Sequence, residues 1–491
     1  MSASQQILLG NAPTGGYQIS RSLRFNSADS AYLNRTPASA GNRKTWTYSV
    51  WVKRGIISSG SRNLLSGPSG TPFFYAEFSS ADVIDIGQTG GSSAGWSTAA
   101  KFRDPSAWYH IVIVLDTTSA TTTMLGTSTD RLRLYVNGTQ YVMTGGTVPT
   151  QNADLQINNN TLQSIGRQET GPGAYFDGYL TEINFIGGQA LTPSDFGEYN
   201  ATTGVWQPIE YTGTYGTNGF YLNFSDNSGT TSTTLGKDSS GNGNNWTPNN
   251  FSVTAGAGND SLVDTPTPYG TDAQNGGEVR GNYMTMNPLG SSGTLSDGNL
   301  RVVTPASQGL TTRGTFAVSS GKWYWEVTCV SDSGINQYMV GISDITVAPS
   351  SGSWLGSNGW AYYGFNGQKY TNAAGVNYGA TFGDNDVIGV ALDMDNGTVT
   401  FYKNGVSQGQ AFSGLTGKQL TPYLGDANAT CTFTTNFGQR PFAYTAPSGF
   451  KALCTQNLPD PTIVDGGEYF NTVLWTGDGA SSRDITGVGF Q

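Results

Sequence analysis

The sequence predicts an all-β chain: two antiparallel β-sandwiches in tandem, joined by a β-containing connector. Three observations predict it. Apolar residues alternate along most of the chain instead of recurring at helical spacing, and turn residues interrupt them every several positions. The same local grammar, an apolar strand ending in Leu-Asp followed by a hairpin with an Asn-Gly turn, occurs twice and far apart. The length of 491 residues exceeds what one core holds at the usual ~100–200 residues per domain.

In chain order, residues 1–20 carry only Ile7-Leu8-Leu9 as an apolar stretch, with no basic region before it, and are expected to be an extended attachment segment. No cleavable secretory signal is readable there, which predicts synthesis in a cytoplasm. The first sandwich spans 21–205. Its core strand Ile111-Val112-Ile113-Val114-Leu115-Asp116 is apolar at consecutive positions, as in strands covered on both faces. Arg131 to Val136, Asn137-Gly138 and Thr139 to Met143 form its clearest hairpin, because Asn-Gly tolerates the positive φ angles of a type I′ turn. A short helix over Leu191–Phe196 closes it, with Thr192 as N-cap and Pro193 at the first helical position.

Residues 206–279, rich in Gly, Asn, Ser and Thr, read as a partly ordered connector in which Gly219 to Phe224 still alternates like a strand. The second sandwich spans 280–458, with the core strand Val387 to Asp393 and the hairpin Thr398 to Lys403, Asn404-Gly405, Val406. Residues 459–491 begin a further module around Val473-Leu474-Trp475, and the natural chain is expected to continue past Gln491.

Composition excludes several classes of function. Charged residues are 12% of the chain against a typical ~25%, while hydrophobic residues are 36%, so cores can form and global disorder is ruled out. The net charge is −10 with no stripe of Lys and Arg, which argues against nucleic acid as a partner. The longest apolar run, Ile111 to Leu115, is far below the ~18–20 residues of a membrane span, so no membrane insertion is expected. Cys329, Cys431 and Cys454 form no CxxC; Cys329 alternates with Trp323, Trp325 and Val327, and Cys431 with Ala429 and Phe433, as buried small hydrophobes would.

Catalytic chemistry finds little support. Sandwich glycosidases hold two carboxyl groups ~5–10 Å apart, yet no glutamate here has a second within ten positions, and the pattern Glu-x-Asp-x-x-Glu is missing. The nearest mixed pairs, Asp195/Glu198 and Asp465/Glu468, fall on the helix cap and at a module boundary. His110, the only histidine, lies at the start of a core strand, and no Gly-x-Ser-x-Gly elbow accompanies it. Asp393-Met394-Asp395-Asn396-Gly397 opens like an EF-hand loop, but its twelfth position is Asn404 instead of a bidentate Glu, so it reads as a turn. Asp226 to Gly229 and Asp238 to Asn242 could supply oxygen ligands to Ca²⁺, the one candidate ion, although the same residues make ordinary Asx-turns. No other cofactor is expected.

The best-motivated binding candidate is the run Trp354 to Tyr363. Aromatic faces stack on the apolar face of a sugar ring while Asn and Ser bond its hydroxyls, so Trp354, Trp360, Tyr362 and Tyr363 are the candidate glycan contacts. Alternation of Trp360 and Tyr362 equally suits a strand filling the second core.

Several ordered motifs carry a resemblance. Trp108-Tyr109-His110, Leu134 to Gly138, Ile165-Gly166 and Phe176 to Ile183 followed by Leu191-Thr192-Pro193 make residues 21–200 similar to the concanavalin A-like, laminin-G type jelly roll. Gly321 to Val327, Val340-Gly341-Ile342, Gly389 to Asp393, Phe401 to Gly405 and Asn436-Phe437-Gly438 make residues 280–455 resemble a SPRY domain. That pairing, with the N-terminal wording Tyr17 to Phe25, is similar to tail-fibre and other virion proteins of tailed bacteriophages. The resemblance implies a non-enzymatic virion structural protein, exposed on the particle surface, most simply a tail fibre that presents its sandwiches to host-surface polysaccharide. It further implies docking on other virion proteins through residues 1–20 and assembly as a homo-oligomer, a trimer, because linked copies turn weak sugar contacts into avid ones. A capsid decoration or head fibre binding other virion proteins is the alternative, and a polysaccharide depolymerase the third reading.

Overall fold

The computed structural model describes residues 16–89, 95–122, 126–170, 173–306, 309–347, 358–460, 462–463 and 469. Within them the chain is nearly all β, in several antiparallel sheets, as the alternation predicts. Among the described residues no helix is long and apolar enough to cross a membrane.

The first sandwich stacks two eight-stranded sheets. One is centred on Thr45–Arg54, flanked by Trp108–Asp116 and Gly178–Gly187. The other runs through Phe74–Phe78, Arg62–Gly67 and Tyr32–Arg35. Between them lie Trp46, Tyr48, Val50, Ile111, Ile113, Leu115, Phe74 and Phe78, all buried. Trp108–Asp116 is covered on both sides, as its unbroken apolar run requires. Val112 and Val114, on the face away from this core, pack with Ile186 and Phe196 beneath the chain that follows Ala190.

Both Asn-Gly turns form. Asn137 and Asn404 have φ of 49° and 48°, the following glycines 78° and 77°, and the flanking pairs Val136/Thr139 and Lys403/Val406 are in register. The expected helix shortens to a single 3₁₀ turn, Pro193–Asp195, in which the Asp195 carboxylate accepts the Thr192 N–H at 2.8 Å. Of the connector, Phe220–Leu222 pairs with Gly178–Gly187, Thr247–Asn249 with Tyr32–Arg35, and Ser261–Leu262 with Ser22–Phe25, so its strands are added to the sheets of the first sandwich.

The second sandwich pairs an eight-stranded sheet centred on Lys322–Ser331 and Val387–Asp393 with a six-stranded sheet ending in the hairpin Gln368–Thr371/Ala374–Asn377. Trp323, Trp325, Val327 and Cys329 share its core with Val340, Ile342 and Phe401; Cys431 and Phe433 join them, and all three cysteines are buried and unbridged.

The two sandwiches meet through one continuous apolar cluster. Trp51, Trp108 and Tyr179, on the outer face of the first sandwich's sheet, join Trp206 of the small sheet Gly197–Tyr199/Trp206–Pro208 in a cluster with Val263, Tyr283 and Met284, and through these with the second core. A buried ion pair, Lys53–Asp264 at 2.7 Å, lies in the same seam, and a second, Arg24–Asp260 at 2.9 Å, ties the added strand Ser261–Leu262 to Ser22–Phe25 within the first sandwich.

Candidate functional site

The predicted glycan contacts separate once the strand Gly359–Tyr363 is in place. Trp360 and Tyr362 point inward: Trp360 is 7% exposed, and Tyr362 is wholly buried among Tyr378, Phe382 and Phe401. The Tyr362 hydroxyl donates to the Ala380 carbonyl. A ring without exposed surface cannot stack on a sugar, so these two residues build the core. Tyr363, one position on, lies on the opposite face but is only 5% exposed: it packs with Met339, Ala361 and Tyr423 and donates its hydroxyl to Gln337 Oε1 at 2.9 Å, so it too offers no free ring face to a sugar. Trp354 lies outside the described residues.

On the Tyr363 face, the next turn and hairpin supply residues that the aromatic run did not single out. Phe365 sits 6.0 Å from Tyr363, and Tyr370 packs edge-on to Tyr363 at 5.6 Å. Around them Asn366 Nδ2 donates to Gln368 Oε1 and to the Tyr370 hydroxyl oxygen, and Gln368 Nε2 donates to Asn377 Oδ1. Tyr370 lies across Gly375, its cross-strand partner: a Cβ there would fall 2.6 Å from its Cζ. The strand Ala374–Asn377 is exposed throughout, and Phe365 and Val376 are each 57% exposed. The result is an aromatic and amide surface at the sheet edge, and none of Gln337, Tyr363, Phe365, Asn366, Gln368, Tyr370 and Asn377 carries a charge. A signal existed in the sequence: after Tyr363 the alternation no longer has apolar residues on both faces, and Asn and Gln replace them.

His110 makes a Ser–His contact that resembles a nucleophile and its base, and the geometry excludes that use. Ser49 Oγ lies 2.8 Å from Nε2, while Trp206 Nε1 donates to Nδ1 at 3.0 Å. An Nδ1 that accepts leaves the proton of a neutral ring on Nε2, which therefore donates to Ser49 and cannot take its proton. The ring is stacked between Trp51 and Trp206 and fully buried, and burial lowers its pKa to about 3.

The loop carboxylates are satisfied by turn donors. Asp238 accepts from Tyr221 N, Ser240 N and Oγ, and Asn244 N; Asp393 accepts from Asn396 N and Nδ2 and pairs with Lys322; Asp226 accepts from Ser228 N and Oγ. Among the described residues no group of three or more His, Cys, Asp or Glu is gathered as a metal site.

One acidic group stands apart. Glu182 has φ of 51° within a bulge of Gly178–Gly187, is buried, and accepts from the hydroxyls of Tyr17 (2.9 Å) and Tyr221 (2.7 Å). Burial pushes its pKa up to about 7 against the opposing hydroxyls, with Glu210 adding to the rise. A carboxyl group whose folded pKa is raised favours folding below its unfolded value of 4.5 and loses that contribution as pH climbs through about 7. Glu182→Gln keeps acceptor and donor but not the titration. At pH 8 this variant is expected to be more stable than the parent by up to about 3 kcal/mol, with little difference at pH 4. Urea unfolding at the two pH values checks it, and equal gains at both would contradict the assigned cause.

Comparison with known proteins follows the same division. Residues 26–196 match the model of the concanavalin A-like lectin/glucanases superfamily, and residues 322–440 match that of the SPRY domain. The chain carries both domains. Over 156 residues it is 35% identical to ATP-dependent RNA helicase DDX1 of Xenopus laevis, covering 31% of this chain and 20% of that protein. The chain thus spans about a fifth of that relative's length. Among solved structures, the SPRY domain of human HERC1 is 23% identical with a TM-score of 0.26, over 30% of this chain and 96% of that one. The TRIM65 PSpry domain is 20% identical with a TM-score of 0.26, over 31% and 92%. The aromatic and amide surface belongs to the SPRY domain, and the Glu182 bulge to the concanavalin A-like one.

Proposed function

We propose that the chain is a non-enzymatic structural protein of a phage particle, a tail fibre that holds neutral host-surface glycan on the Phe365–Gln368–Tyr370 surface of its SPRY domain, which Tyr363 supports from beneath. The observation that carries this reading is an uncharged aromatic surface ringed by amides, with Phe365 more than half exposed at its centre. Apolar ring faces and carboxamides match the two chemistries of a sugar, its C–H face and its hydroxyls. Residues 1–20 attach the fibre to other virion proteins, and repeated copies in one fibre make weak sites adhesive.

The test compares adsorption of the purified chain to host cells before and after Phe365→Ala combined with Gln368→Ala. Both side chains lie on the surface, so the melting temperature is expected to hold while binding falls at least about tenfold, some 1.4 kcal/mol. Undiminished adsorption by the folded variant refutes the site. Imaging of particles then places the fibre on tail or head.

A further inference from the structure

Among the described residues Lys53 is the most enclosed cation. Its Nζ donates to Asp264 Oδ2 at 2.7 Å, to Asn282 Oδ1 at 2.8 Å and to the Tyr283 carbonyl at 2.6 Å, and neither Lys53 nor Asp264 has exposed surface. Trp108, Tyr179 and Tyr283 enclose the group, with Nζ 5.5 Å above the Tyr179 ring. Asp264 is held from its other side, where Oδ1 accepts Trp108 Nε1 and Tyr283 N–H at 3.2 Å each. The Asn282 carboxamide is oriented as well: Nδ2 donates to the Ser106 carbonyl at 2.5 Å, which turns Oδ1 toward the amine and leaves Cγ within about 4 Å of Nζ.

An amine, a carboxamide and a carboxyl group packed together in a buried site are the components of an intramolecular amide-forming reaction. We propose that Lys53 and Asn282 join covalently, Nζ to Cγ, with loss of ammonia and with Asp264 carrying the proton. Burial lowers the pKa of Lys53 and raises that of Asp264, so both shifts favour transfer of the ammonium proton to the carboxylate. The freed Nζ lone pair attacks Cγ, and the carbonyl electrons move to Oδ1. As they return, the Cγ–Nδ2 bond breaks. Asp264 delivers its proton to the departing nitrogen and takes one from Nζ, so that a secondary amide, ammonia and a protonated Asp264 remain. No oxidant or cofactor enters, and escape of ammonia makes the step one-way. Near-attack geometry requires ~3–3.5 Å between the reacting atoms, a movement of well under one side-chain rotamer. Asp264 is not the acceptor, because its carboxylate is the base and is pinned by two N–H donors. The bond would tie Thr45–Arg54 of the first sandwich to the segment that enters the second.

The mass of the full chain, measured after unfolding in acid, decides the proposal. The expected result is a deficit of about 17 Da from the sequence mass, the mass of ammonia, with a Lys53–Asn282 branched peptide after proteolysis. Asp264→Asn is expected to show the full mass of its own sequence, and circular dichroism and a melt of that variant establish that it folds. A parent chain at its sequence mass overturns the proposal, as does a deficit of about 18 Da with Lys53 joined to Asp264. A folded Asp264→Asn that still carries the branched peptide overturns the role given to Asp264.

Discussion

In a chain whose Lys53 amine is still free, Asp264→Ala is expected to be the most damaging single substitution in the seam, lowering stability by about 3–5 kcal/mol at pH 7, the range for removing one partner of a buried ion pair. Its carboxylate serves three donors at once: Lys53 Nζ, Trp108 Nε1 and the Tyr283 N–H. Truncation leaves a buried ammonium with only carbonyl-type acceptors and strands two N–H groups where water does not reach. Lys53→Met combined with Asp264→Ala removes the uncompensated charge and is expected to recover part of the loss. Recovery stays incomplete because the Trp108 and Tyr283 N–H groups still lack an acceptor. Urea unfolding followed by tryptophan fluorescence reads both changes, since Trp51 and Trp108 sit at the seam. A loss below about 1 kcal/mol in Asp264→Ala would show that solvent enters there and that the sandwiches are joined more loosely than their shared apolar cluster implies.

The contrast between what the chain announces locally and what only the fold reveals is clearest at this seam. Asn137-Gly138 and Asn404-Gly405 are legible because a two-residue turn needs nothing but its own φ preferences. The Leu-Asp strands are legible because burial on both faces leaves an unbroken apolar run. Lys53 gives no such sign. In Val50-Trp51-Val52-Lys53-Arg54 it reads as the point where a strand meets water, and its partner Asp264 is 211 residues away. The hairpin at Asn372-Ala373 is hidden for a different reason. Its turn places non-glycine residues at φ of 51° and 57°, so the usual glycine marker is absent, and without that register the Tyr363, Phe365 and Tyr370 face cannot be assembled from the text. Alternation correctly separates Trp360 and Tyr362 from Tyr363 but does not say that both sides are buried, since aromatic residues suit both a core and a binding surface.

Acid is expected to strike the first sandwich at His110. The folded pKa of about 3 lies well below the unfolded value of 6.5, so the unfolded chain binds the proton more readily. The sign follows: stability from the neutral ring is complete above pH 6.5 and drains away as pH falls toward 3, by up to about 5 kcal/mol at 1.36 kcal/mol per pKa unit. The physical cause is enclosure, for the ring lies between Trp51 and Trp206, and its two nitrogens meet the Ser49 hydroxyl and the Trp206 N–H, neither of which favours the charged form. Protonation also breaks a specific bond, because Nδ1 would become a donor facing the Trp206 N–H, a donor itself. Carboxylates titrate over the same range, and His110→Gln separates the two effects. Glutamine offers one acceptor to Trp206 and one donor to Ser49 and does not titrate. Its stability is expected to fall less steeply than the parent's between pH 6.5 and 3, and the difference between the two urea-unfolding profiles should grow smoothly toward acid. Parallel profiles would mean that the imidazole is protonated inside the folded sandwich, which the Trp206 N–H at 3.0 Å forbids unless the chain from Ala190 onward has already lifted away.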